Sequence, residues 1–158
     1  MAHAKTNAMR ILDTQKIDYE VLTYDNKDGK IDGVTVAGKV GKDPKEVYKT
    51  LVTQGASKTL YVFVVPVLEE LNLKKAAKAA GEKNIEMLPM KDIQKWTGYI
   101  RGGCSPIGMK KQYKTFLDES CNKLDSMVVS AGKIGMQIVL KPAQLQEVTG
   151  AVFVDVIK

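Results

Sequence analysis

At 158 residues, with 44% hydrophobic and 27% charged side chains, the chain has the length of one domain, residues 1–158, and enough apolar side chains for a real core. Its longest apolar run, residues 60–68, spans about nine positions, against the ~18 or more of a membrane helix, and the N-terminal residues carry no apolar signal segment. The formal net charge is +6, from 24 Lys and Arg against 18 Asp and Glu, which favours an anionic partner such as nucleic acid.

Thr6 or Asn7 caps a first helix carrying Met9, Ile11 and Leu12 on one face. Tyr19–Thr23 alternates like a strand and ends at Tyr24, and Asp25–Gly33 is polar and reads as an exposed loop. Thr35–Val40 reads as a helix that stops at Gly41. Asp43-Pro44-Lys45-Glu46 combines an Asp cap, Pro at the first position and Glu at the third, a helix start. That helix is short, because Leu51–Thr53 and Leu60–Val67 form a hairpin around Gly55-Ala56-Ser57-Lys58. Lys49 thus falls where helix gives way to strand. Asn72 caps a helix over Leu73–Ala80, closed by Gly81, with alanines on one face and Lys74, Lys75 and Lys78 on the other. Ile85–Met87 is a strand and Met90–Trp96 a helix leading into a glycine-rich loop. Tyr113–Leu117, Met127–Ser130 and Met136–Leu140 are strands, the last two joined by Ala131-Gly132-Lys133-Ile134-Gly135. Pro142 opens a final helix and Ala151–Val156 is a final strand. Clean βαβ alternation is absent, so the pattern predicts an α+β fold with a mixed, curved sheet.

Arg101-Gly-Gly-Cys-Ser-Pro-Ile-Gly108 is the least ordinary stretch. Its glycines let another molecule approach the backbone, Ser105 adds a hydroxyl, and Arg101, Lys110 and Lys111 flank it with charge. It reads either as a cradle for an oxyanion, carbonyl or phosphate or as a tight connector. Lys49, within Tyr48-Lys49-Thr50-Leu51-Val52, is either a functional half-buried cation or a lysine that snorkels from its apolar surroundings. The turn Ser130–Gly135 offers a second glycine-bearing loop with a hydroxyl at its lip. Trp96 reads as core or rim in preference to a base-stacking platform.

The only histidine is His3, near the terminus, so Ser-His-Asp, Cys-His and histidine-zinc chemistries are effectively excluded. Cys104 and Cys121 form neither a metal pair nor a disulfide framework, which points to a reduced, cytoplasmic protein needing no metal or cofactor. Cys104 as a nucleophile lacks a histidine to deprotonate it.

Several separated blocks, in order, resemble the YbaK/EbsC group of aminoacyl-tRNA deacylases and within it the Cys-tRNA(Pro) deacylases. They are Val47-Tyr48-Lys49-Thr50-Leu51, Val65-Pro66-Val67, Leu73–Lys78, Thr97-Gly98-Tyr99, Gly102–Gly108 and Val129–Lys133. The resemblance covers nearly the whole chain. It implies a barrel-like mixed sheet surrounded by helices, as in the editing domain of bacterial prolyl-tRNA synthetases, and hydrolysis of a mischarged aminoacyl ester at the 3′ end of tRNA. It implies catalytic roles for Lys49, Gly102 and Gly103, and substrate binding by Tyr24, Thr50, Ser105, Pro106, Ser130, Gly132 and Gln137. It also implies prolyl-tRNA synthetase as a partner. Two positions depart from the pattern: Gln137 stands where Asp is frequent, and Ala131-Gly132 where Gly-Gly is common. Two other readings predict different behaviour: a non-catalytic module binding aminoacyl-tRNA or a nucleotide in the same pocket, and a thiol hydrolase built on Cys104.

Overall fold

In the computed structural model, which describes Lys5–Lys158, the chain runs α1 (Asn7–Thr14), β1 (Glu20–Thr23), α2 (Gly33–Lys39), a 3-10 turn (Pro44–Glu46), β2 (Tyr48–Gly55), β3 (Leu60–Pro66), α3 (Leu73–Ala80), β4 (Ile85–Met87), α4 (Met90–Thr97), β5 (Lys114–Asp118), a 3-10 segment (Glu119–Lys123), β6 (Met127–Lys133), β7 (Met136–Leu140), α5 (Pro142–Thr149) and β8 (Val152–Val154). His3 lies outside the described residues.

Every residue of β3 is buried. It is the middle strand of a five-stranded mixed sheet ordered β4-β2-β3-β5-β8, in which β2 pairs antiparallel to β3 and β4, while β5 pairs parallel to β3 and β8. A strand covered on both faces needs apolar residues on both, which is why Leu60–Pro66 reads as a continuous run without alternation. On one face Tyr61, Phe63, Val65 and Phe116 pack against Ala76 and Ala77 of α3, with the Phe63 and Phe116 rings stacked at 5.0 Å. On the other, Val62, Val64 and Leu117 meet Met127, Val129, Met136, Ile138 and Leu140 of the antiparallel sheet β1-β7-β6, with Ala8, Met9 and Leu12 of α1 in the same cluster. The expected α+β architecture is therefore present, its strands divided between two facing sheets. A parallel bridge between Val47 and Val128 links the two at one edge.

Local signals account for the helix ends. Thr6 takes the cap of α1 by accepting from Met9 N–H at 3.3 Å, leaving Asn7 to donate to Gly108 O at 3.0 Å. Asn72 accepts from the Lys74 and Lys75 N–H groups at the start of α3. Several boundaries differ from the sequence reading, and three of them bear on the site. Asp32 accepts from Thr35 N–H at 3.1 Å, so α2 begins at Gly33. The Asp43-Pro44 start yields a single 3-10 turn, because β2 already begins at Tyr48; Lys49 is consequently a strand residue and not a helix-end residue. β6 continues to Lys133 through a register shift after Ser130, which shortens the turn before β7 to Ile134-Gly135.

Phe63 has no exposed surface and supports the stacked pair at the centre of the large sheet. Phe63→Ala is expected to lower unfolding free energy by roughly 3–5 kcal/mol, read from the urea midpoint at unchanged slope.

Candidate functional site

A cleft of about 460 Å³ opens where the two sheets meet. Its walls come from Ile31, Asp32, Gly33, Val34 and Val36 around the start of α2, Val47 and the first residues of β2 from Tyr48 to Leu51, Val67, the loop residues Arg101, Gly102 and Cys104, and Ser130 and Gln137 of the small sheet. Strand β4 pairs only with Thr53–Gly55, so Lys49–Leu51 run along a stretch of β2 edge with no strand beside it. Successive side chains of a strand alternate between faces; the open edge lets the cleft reach both Lys49 and Thr50.

Lys49 is half-buried, and its ammonium makes no hydrogen bond or ion pair among the described residues. Beside it are two anomalies. Thr50 Oγ1 and Gln137 Oε1 are buried and have no hydrogen-bond partner among the described residues. A buried polar atom left unpaired costs roughly 1–3 kcal/mol, and both atoms belong to residues that line the cleft. Gln137 sits directly across the β6–β7 ladder from Ser130, whose Oγ accepts the Gly132 N–H at 3.2 Å.

The glycine-rich loop is held by backbone. Ile100–Gly103 forms a turn closed by the Gly103 N–H donating to Ile100 O at 3.0 Å. Gly102 at its third position has φ +85°, a conformation that favours glycine. A Cβ on Gly103 would lie 2.9 Å from Ile134 N, and one on Gly132 2.8 Å from the Tyr99 ring. The Tyr99 hydroxyl donates to Ile107 O at 2.6 Å.

This geometry sorts the residues expected from the sequence. Lys49, Thr50, Gly102, Ser130 and Gln137 converge on the cleft. Gly103 is buried with its N–H engaged, so it shapes the loop and does not donate to a ligand. The N–H groups of Gly102 and Cys104, which do line the cleft, have no partner among the described residues. Ser105 is wholly buried and its Oγ accepts from Ile107 N–H at 3.2 Å; Pro106 is buried beside it. Gly132 gives room to Tyr99, and Tyr24 lies at the β6–β7 turn, its N–H donating to Gly135 O at 2.9 Å. These four therefore stand behind or beside the wall and not in it. Asp32, Val34, Val36 and Val67 are wall residues that the sequence does not single out as site residues. Tyr99 is a positioning residue whose only sequence signal was its place in the Thr97-Gly98-Tyr99 block.

The cleft offers no ready general base. Asp32 is an exposed carboxylate held below its ordinary range by hydrogen bonds from Thr35, which makes it a weak base. Burial pushes the Cys104 thiol up to about 11, against a weaker opposing hydrogen bond with Thr97, so it is neutral at pH 7. Arg101 is exposed at the rim.

Residues 33–148 match the model of the aminoacyl-tRNA editing domain. The chain belongs to that family. The editing domain is 44% identical over 152 residues to a protein of Enterococcus faecalis provisionally named Cys-tRNA(Pro)/Cys-tRNA(Cys) deacylase EbsC, covering 96% of this chain and 93% of the relative. It is 28% identical over 94 residues to a proline–tRNA ligase of Burkholderia orbicola, a match spanning 60% of this chain and 16% of the ligase. Its fold superposes with a TM-score of 0.85 on a crystal structure provisionally described as a trans-editing enzyme for prolyl tRNA synthetase, at 22% identity and 99% coverage of both chains. No helix among the described residues is long and apolar enough to cross a membrane.

Burial also raises the Cys121 thiol, to about 12. Both thiols bind protons more tightly folded than unfolded, where the value is near 8.5. The stability this contributes is complete below the unfolded value and is lost as pH rises towards the folded ones. The urea midpoint is expected to fall between about pH 9 and 11, and to fall less steeply in Cys104→Ala.

Proposed function

We propose that this chain hydrolyses the ester of mischarged aminoacyl-tRNA, with Cys-tRNA(Pro) as its main substrate. The observation that carries the reading is a set of groups around one cleft that have no hydrogen-bond partner among the described residues: the Lys49 ammonium and two buried oxygens, on Thr50 and Gln137. An aminoacyl ester brings complementary parts. Its α-ammonium supplies donors for Gln137 Oε1, and a ribose hydroxyl supplies one for Thr50 Oγ1. Gln137 thus recognises the amine as a neutral acceptor, where a carboxylate would pair with it as an ion.

The ester is already activated, so the protein's task is to orient it and to stabilise the oxyanion of the tetrahedral intermediate. Lys49 and the N–H groups of Gly102 and Cys104 are the donors for that charge. With no imidazole among the described residues, a weak Asp32 and a neutral Cys104, the attacking group is water or the substrate's own thiol. For a cysteinyl ester, the thiol loses its proton to solvent and its sulfur bonds to the carbonyl carbon. The C–O bond to the ribose then breaks, and the 3′ oxygen leaves and takes a proton from water. The products are free tRNA and a cyclic thioester, which water opens to cysteine.

The segment shared with proline–tRNA ligases supports delivery of the substrate by a prolyl-tRNA synthetase, in the cytoplasm where that enzyme charges tRNA. The missing general base is also what a non-catalytic binding module would show, and turnover separates the two readings.

The test is single-turnover deacylation of Cys-tRNA(Pro), with Ala-tRNA(Pro) and Pro-tRNA(Pro) alongside. Cysteine is expected to be released and proline spared. Lys49→Ala is expected to slow release by about 100-fold or more, with tRNA affinity near wild type; release at the wild-type rate would overturn the mechanism. Gln137→Leu keeps the volume and removes the acceptor, and is expected to slow the reaction roughly 5- to 30-fold. Persistence of every ester with wild-type protein would select the binding module.

A further inference from the structure

The cleft accommodates an aminoacylated terminal nucleotide, and the reading above leaves open what holds the strand leading to it. A second concave surface, of about 300 Å³, is lined by Gln54, Lys58, Leu60, Trp96, Lys111 and Tyr113, with Thr59, Gln112 and Lys114 at its margins. Three lysines and no carboxylate line it; the nearby acids, Glu82 bonded to Ser57 and to the Tyr61 hydroxyl, Glu86 opposite Gln54 on β4 and Asp92 on α4, lie outside its lining. Lys58 and Lys111 are exposed and make no ion pair among the described residues.

Trp96 is 42% exposed, an unusual placement for the one tryptophan in the chain. Its position is fixed: the Tyr113 hydroxyl donates to Trp96 O at 2.7 Å, and Lys110 Nζ donates to Lys95 O at 3.1 Å. Lys95 Nζ lies over the ring, 5.1 Å from its centre and outside the groove's lining, so a base stacks on the indole opposite this cation or in its place. A basic groove with an exposed aromatic plane is how proteins hold single-stranded nucleic acid: lysines follow the phosphates, and bases stack on the ring.

The groove and the cleft adjoin a common apolar cluster. Leu60 and Tyr113 line the groove and belong to this cluster with Val52 and Leu88; Cys104, which lines the cleft, packs on it too. The segment from Arg101 to Lys114 runs from one to the other. The concave surface beside α3 carries Lys74, Lys78 and Lys83 too, but it includes Glu82 and has no aromatic ring.

We infer that this groove binds the single-stranded 3′ segment of the tRNA whose terminal ester enters the cleft, with Lys58, Lys111 and Lys114 on its phosphates and a base stacked on Trp96. This rests on the deacylase reading.

Because Trp96 is the only tryptophan, its fluorescence reports on the groove directly. The full-length protein is titrated with uncharged tRNA(Pro) and with a single-stranded RNA octamer, and binding is followed in parallel by filter retention. Saturable quenching by both is expected, with a log–log salt slope near −2 for the octamer, about 0.7 for each of three phosphate contacts. Lys58→Gln combined with Lys111→Gln is expected to weaken binding of both by roughly tenfold or more, and Trp96→Leu to weaken the octamer by roughly tenfold. Retention of RNA without quenching, wild-type affinity in the double lysine variant, or equal quenching by inorganic polyphosphate would each overturn the inference. The RNA is uncharged, so the outcome does not depend on hydrolysis. Loss of quenching overturns the groove while Lys49-dependent deacylation still stands, and absent deacylation overturns the deacylase reading while the quenching still stands.

Discussion

The contact between Gly103 and the β6–β7 turn is the constraint on which the cleft depends. Two backbones meet there with no room for a Cβ, and Gly132 does the same beneath the Tyr99 ring. Together with the Tyr99 hydroxyl on Ile107 O, these contacts fix the glycine-rich loop to the small sheet. The loop in turn sets Gly102 against Ile31 and so closes the wall opposite β2. Residues such as Ser105 and Pro106, which resemble pocket chemistry in a linear motif, are buried in this support.

The site's chemistry follows from what its groups lack. A cation outside every close ion pair of the described residues and two buried oxygens with no donor among them are costly in an empty cleft and favourable once a ligand brings the complementary groups. A neutral thiol and a carboxylate tied to a helix start leave no base with affinity for a proton near neutrality. Such a site suits a substrate that is already activated and that carries its own nucleophile. The catalytic power asked of the protein is then orientation and oxyanion stabilisation.

The positive charge of the chain is distributed unevenly with respect to this chemistry. Lys49 lines the cleft, whereas Lys58, Lys111 and Lys114 line a second surface beside an exposed indole. A charge that stabilises a transition state must be held in place and partly dehydrated, while charges that follow a phosphate backbone work best mobile and in water. In this chain the two kinds of position lie on separate concave surfaces that adjoin a common apolar cluster.

Periodicity, caps and breakers settle the local structure of this chain. Asn72 and Gly81 bracket α3, and the apolar run from Leu60 reads as a strand, which the structure then buries on both faces. Lys49 and Gly102 stand out in sequence because a lysine among apolar residues and paired glycines are each unusual, and both reach the cleft. Tertiary structure decides the rest. Whether Gly103 donates to a ligand or to Ile100 O, and whether Gly132 lines a pocket or makes room for Tyr99, depends on which loop lies against which strand. Thr50 and Gln137 are 87 positions apart in the chain, and their unpaired oxygens share a cleft only because the Val47–Val128 bridge joins the two sheets at that edge. Local propensities are fixed by residues within a turn or two of each other, whereas burial and hydrogen-bond satisfaction belong to the assembled fold.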